Sequence, residues 1–144
     1  METTETNFAN DTNPKRFGDF LQIGLTYWAR YVVWIQGVYF FLMGLWPILA
    51  ISSFEAITGP KTEVWLVKTV GLLLVIIGFV LIIAAYRGRI RLEMAILGIG
   101  SALALIVIEF VYVTTGVISP VYLLDSIIQI LLVVGWIRRV ESYI

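Results

Sequence analysis

The chain of 144 residues is 60 % hydrophobic and only 14 % charged, with a mean hydropathy of +0.93. A soluble domain carries about 25 % charged residues, so this composition excludes a water-soluble domain and points to an integral membrane protein. Ten basic residues balance ten acidic ones, which leaves no bulk charge for nucleic acid. The absence of Cys and His removes disulfides, thiol or imidazole chemistry and the usual transition-metal ligands.

Residues 1–19 are polar and lack the apolar core of a signal peptide, so they read as a disordered cytoplasmic tail ahead of one domain over 20–144. From Phe20 the apolar content rises, and Gln22, Thr26 and Arg30 recur every four residues. That spacing draws one polar stripe along a helix. It fits either a separate interfacial helix over 20–30 or a helical extension of the first span.

The first span is expected at about 31–51, since about 20 residues at 1.5 Å each cross a bilayer. Pro47 lies inside it and should kink or loosen its end. The following loop, from Ser52 to Glu63, has the spacing of a capping box at Ser52 and Glu55 and a turn signal at Gly59-Pro60. A second span is expected at about 64–86, with Thr62 as its N-cap. The basic loop Arg87, Arg89 and Arg91 leads to a third span at about 94–114. Pro120, behind Ser119, opens a fourth at about 120–137.

The sum is an all-α antiparallel four-helix transmembrane bundle with short connections. Lys15, Arg16, Arg30, Arg87, Arg89, Arg91, Arg138 and Arg139 fall on one side, and Lys61 and Lys68 on the other. Positive residues mark the cytoplasmic face, so both termini are expected in the cytoplasm of a multi-pass protein of the cell membrane. Trp28, Tyr31, Trp34, Tyr86 and Trp136 would form an aromatic belt at that interface.

The chemistry is expected in the outer half. Glu109 stands in the run Ile106-Val107-Ile108-Glu109-Phe110-Val111, roughly 9 Å from the end of its span, and Asp125 roughly 7–8 Å from the same face. An ionisable group at such depth costs several kcal/mol on insertion scales and faces a partner or a wet cavity. Helical spacing places Leu105, Glu109 and Tyr112 on one face, and Tyr122, Asp125 and Gln129 on another. Lys68 enters from the same side. Together Glu109, Asp125, Gln129, Lys68, Tyr112 and Tyr122 are expected to line one outward-opening ligand pocket. Two carboxylates in a poorly solvated site do not both ionise freely unless Lys68 pairs with one. Without a ligand, the same residues could serve as polar glue between helices.

Gly37 and Gly44 on the first span, and Gly71 and Gly78 on the second, are each seven apart. Gly98 and Ala102 form a further small-residue pair. Such positions let helix backbones approach. Arg87, Arg89 and Arg91 are suited to anionic lipid headgroups as well as to fixing topology. Gly98-x-Gly100 is not a dinucleotide loop, because it lies within a span. No nucleophile–base pair, phosphate loop or metal set appears, and no cofactor is implied.

The four-span plan with a membrane carboxylate is similar to that of small multidrug transporters. In those proteins the glutamate lies in the first span, where this chain carries Gln36, so the sequence is assigned to no family. Three functions are carried forward. The first is a pocket for a lipophilic or cationic ligand, with proton-coupled transport as its extension. The second is an accessory subunit in a homo-oligomer or larger membrane complex. The third is an intramembrane lipid-modifying enzyme using Glu109 and Asp125 as acid and base.

Overall fold

The computed structural model describes residues 14–88 and 90–140, with side chains described over 30–138 apart from residue 89. It is all-α, with α1 (Pro14–Leu49), α2 (Ile51–Thr58), α3 (Val64–Tyr86), α4 (Leu92–Thr114) and α5 (Tyr122–Val140) in chain order. Among the described residues three stretches are long and apolar enough to cross a membrane: Arg30–Leu49, Val64–Tyr86 and Leu92–Thr114.

The boundaries at the N-terminal side differ from the sequence expectation. Helix α1 begins at Pro14, a residue whose fixed φ suits a first helical turn. Residues 14–19, expected in the tail, are therefore helical, and 1–13 lie outside the described residues. The helix runs on through Arg30 without a break, so the backbone is that of a helical extension and not of a separate interfacial helix.

The textured loop after the first span holds a helix of its own, α2. Its N-cap is Ala50, with no side-chain cap bond, so Ser52 and Glu55 do not form a capping box. Instead the Glu55 carboxylate accepts from the Lys61 backbone N–H at 3.0 Å. Gly59 closes α2 at φ 88°, a left-handed conformation that side chains resist. The N-cap of α3 is Glu63 and not Thr62, again without a side-chain cap bond. In α5 the residues 120–121 form a turn ahead of the helix, which starts at Tyr122.

Helix α1 packs most extensively on α3, and α4 on α5, with α1 also touching α5. Glycines set the first interface. Gly37 lies against Gly78, and Gly44 against Gly71, as antiparallel helices with matched seven-residue spacing require. A Cβ at Gly78 would stand 2.5 Å from the Gly37 carbonyl oxygen, and one at Gly71 2.6 Å from that of Gly44. The two backbones touch directly, so even an alanine methyl has no room.

The two ends of the molecule differ. At one end Arg30 donates from Nε to the Ala85 carbonyl at 3.2 Å and from Nη2 to that of Tyr86 at 3.4 Å. These carbonyls lie in the last turn of α3, beyond which the helix supplies no further N–H, and that of Ala85 also accepts from the Gly88 N–H at 3.2 Å. The antiparallel order brings Arg87, Arg91 and Arg138 to this same end. Just inside lies the core, made of Val32, Val33, Leu81, Ala85, Ala95 and Trp136. Trp136 is 0 % exposed, so it is a core residue and does not join the interfacial belt. The reason is Gly98, whose missing side chain makes the space for the indole: a Cβ there would lie 2.6 Å from the ring. At the opposite end, α2 lies against α1 across the start of α3, and the interior opens.

Candidate functional site

The opening is a cavity of about 420 Å³ walled by α1, α2, α3, α4 and α5. Most of its wall is carbon: Phe40 and Met43 from α1, Phe54 and Ile57 from α2, Val67 and Leu74 from α3, and Leu105 from α4. Helix α2 adds Thr58 to Phe54 and Ile57 at the end away from Arg30. There Lys61 sits 5.0 Å over the Tyr122 ring and donates from Nζ to the Thr58 carbonyl at 3.1 Å. That cation–π contact ties the α2–α3 connection to the start of α5.

The polar part of the wall is compact. Helix α4 supplies Glu109, which is 5 % exposed, and α5 supplies Asp125 and Gln129 about one helical turn apart, with Ser126 buried behind the wall. Ser126 donates its hydroxyl to Glu109 Oε2 at 2.6 Å. The Tyr39 hydroxyl, from α1, donates to Asp125 Oδ1. Gln129 turns its amide nitrogen to Asp125, at 3.4 Å from Oδ1 and 3.5 Å from Oδ2. The orientation leaves Gln129 Oε1 buried with no hydrogen-bond partner. A buried carbonyl without a partner costs about 1–3 kcal/mol, so such a group needs an explanation.

Of the six residues expected in one pocket, the structure brings four together on the cavity wall: Glu109, Asp125, Gln129 and Tyr122. Lys68 and Tyr112 are not on it. Lys68 is exposed on α3, turned away from the face carrying Val67, Val70, Gly71 and Leu74. Tyr112 is 43 % exposed in the last turn of α4. The charge balance changes as a result. Among the described residues no basic side chain lines the cavity, and Lys68 is not placed to pair with either acid. Among the described residues no group of three or more metal-ligating side chains comes together.

Two participants were not anticipated. Tyr39 reads as one more aromatic in a span, and only the packing of α1 on α5 reveals its hydroxyl as a partner of Asp125. Ser126 had a visible signal, a hydroxyl beside an acid in an apolar segment, but its direction depends on the rotation of α5. A second polar contact set lies deeper, away from the cavity. The Trp136 indole N–H donates to Gln36 Oε1 at 2.6 Å, and Gln36 Nε2 donates to the Gly98 carbonyl at 2.8 Å.

In comparisons with protein-family models, curated proteins and solved structures, nothing matches this chain.

Proposed function

We propose that the protein is a four-span protein of the cell membrane, with both termini cytoplasmic, whose cavity binds a lipophilic cation. The fourth span is α5. Its polar residues Asp125, Ser126 and Gln129 turn inward, while Leu124, Ile127, Leu131 and Val134 form an exposed apolar face suited to lipid. The orientation rests on the arginines at one end, following the excess of positive charge on cytoplasmic loops. Arg87 and Arg91 are exposed there, available to anionic headgroups. Arg89, the third member of that expected cluster, lies outside the described residues.

The observation that carries the ligand class is the pairing of an apolar chamber with two carboxyl groups and no basic wall residue. The aliphatic and aromatic wall takes a hydrocarbon body, and Glu109 and Asp125 take a positive head. Buried charges are retained where something pairs with them. A cation or protons can balance this pair, and exchange of one for the other is what proton-coupled transport needs. The accessory-subunit and lipid-enzyme alternatives gain no particular support from this geometry.

The test uses the full chain in lipid nanodiscs, titrated with dodecylammonium and with dodecanol, reading binding in excess of empty nanodiscs. The ammonium binds and the alcohol of equal chain length does not. Asp125→Asn weakens the ammonium by roughly tenfold or more, the scale of a lost buried charge contact. Equal binding of amine and alcohol would sink the reading.

A further inference from the structure

The cavity's polar corner is rich in acceptors. Each donor there is turned to a partner within the protein: the Tyr39 hydroxyl to Asp125, the Ser126 hydroxyl to Glu109, and the Gln129 amide nitrogen to Asp125. What lines the cavity there is carboxyl oxygen from Glu109 and Asp125, with the Gln129 side chain beside them, its Oε1 buried and without a hydrogen-bond partner. Gln129 is 1 % exposed, so bulk water does not satisfy that oxygen.

A carboxylate attracts any cation, but a lone amide oxygen beside it has a narrower preference. It is neutral and gains most from a directed N–H donor. A quaternary ammonium has no such donor and would leave Oε1 as unsatisfied as before, with methyl groups pressed against it. A primary ammonium carries three N–H bonds, enough to reach Asp125, Glu109 and Gln129 Oε1 at once. Sites built to bond a donor reject analogues that lack it, because their own buried polar groups stay unpaired.

We propose that the corner formed by Asp125, Glu109 and Gln129 is a headgroup subsite selective for a primary ammonium over a quaternary one. Gln129 is its specificity-determining residue. The inference rests on the lipophilic-cation reading and adds the chemical class of the head. It also accounts for a glutamine in an apolar helix whose oxygen the protein itself leaves unused.

The experiment compares dodecylammonium with dodecyltrimethylammonium on the wild-type full chain and on Gln129→Met in nanodiscs, again in excess of empty nanodiscs. The wild type favours the primary amine by roughly tenfold, the scale of one hydrogen bond to a charged group. Gln129→Met keeps the quaternary affinity and loses that preference. Equal affinity of the wild type for both cations overturns the selectivity while leaving the lipophilic-cation reading intact. Binding of neither cation above dodecanol overturns both. A Gln129→Met variant that is folded by circular dichroism and still prefers the primary amine assigns the discrimination elsewhere and overturns the role of Gln129.

Discussion

Gln36 and Gln129 are both buried amides, 0 % and 1 % exposed, on helices of the same molecule. Their surroundings differ in one respect. Gln36 is bonded at both ends, by the Trp136 indole at its oxygen and through its nitrogen to the Gly98 carbonyl. Gln129 is bonded weakly at its nitrogen and left open at its oxygen. The first sits in a closed half with a continuous core and the second in the wall of a cavity. A polar residue inside a membrane protein serves either as a fastening between helices or as a site. The difference is legible in whether the protein itself completes the hydrogen bonds.

The strongest way to break the closed half is Gly98→Val. The new side chain enters the space of the Trp136 ring, displacing the indole and with it the bond to Gln36. Thermal unfolding in detergent should show a loss on the order of 3 kcal/mol. Next comes the matched pair Gln36→Met and Gln129→Met, which replaces each amide with a side chain of similar length. Removing Gln36 deprives the Trp136 N–H of an acceptor and the Gly98 carbonyl of a donor, at a cost of about 1–3 kcal/mol. Removing Gln129 takes away an already unpaired oxygen and only two long contacts to Asp125, so stability should hold or rise by about 1 kcal/mol. Equal losses in the two variants would erase the distinction between fastening and site.

The double variant Glu109→Gln with Asp125→Asn keeps the side-chain volumes and removes both acids. Stability should hold or rise by about 1 kcal/mol, while dodecylammonium binding in nanodiscs disappears. A double variant that gains stability and keeps binding would return both acids to the role of structural glue. The smallest effect belongs to Lys68→Ala. An exposed residue off the cavity wall should change neither melting temperature nor ligand affinity measurably.

Sequence reading reached the helices more easily than their rotation. The second span is found where the apolar run predicts it, Val64–Tyr86, and the third begins two residues earlier than expected, at Leu92. The seven-residue glycine spacing was visible, and its use as an interface between α1 and α3 follows from it. Depth along the axis was also readable, which is why Glu109 and Asp125 meet at one level. Facing was not, since lipid and protein interior are both apolar and a helix between them shows little contrast around its circumference. Lys68 and Tyr112 therefore read as pocket residues, and Trp136 as part of the interfacial belt, each against the packing. Helix α2 was hidden for a different reason. Eight residues with two serines, followed by Gly59-Pro60, look like a loop, and no side-chain cap marks the start of the helix.

The contact of Gly37 with Gly78 and of Gly44 with Gly71 carries a mechanical consequence. Two fixed points one heptad apart act as a pair of dowels, and sliding one helix by a single residue would drive a side chain into the opposing backbone. Helices α1 and α3 are thereby locked as a single plate. Since α3 touches α4 only sparsely, any widening of the chamber must swing the α4–α5 pair away from that plate, taking Glu109 and Asp125 with it and leaving Tyr39 behind.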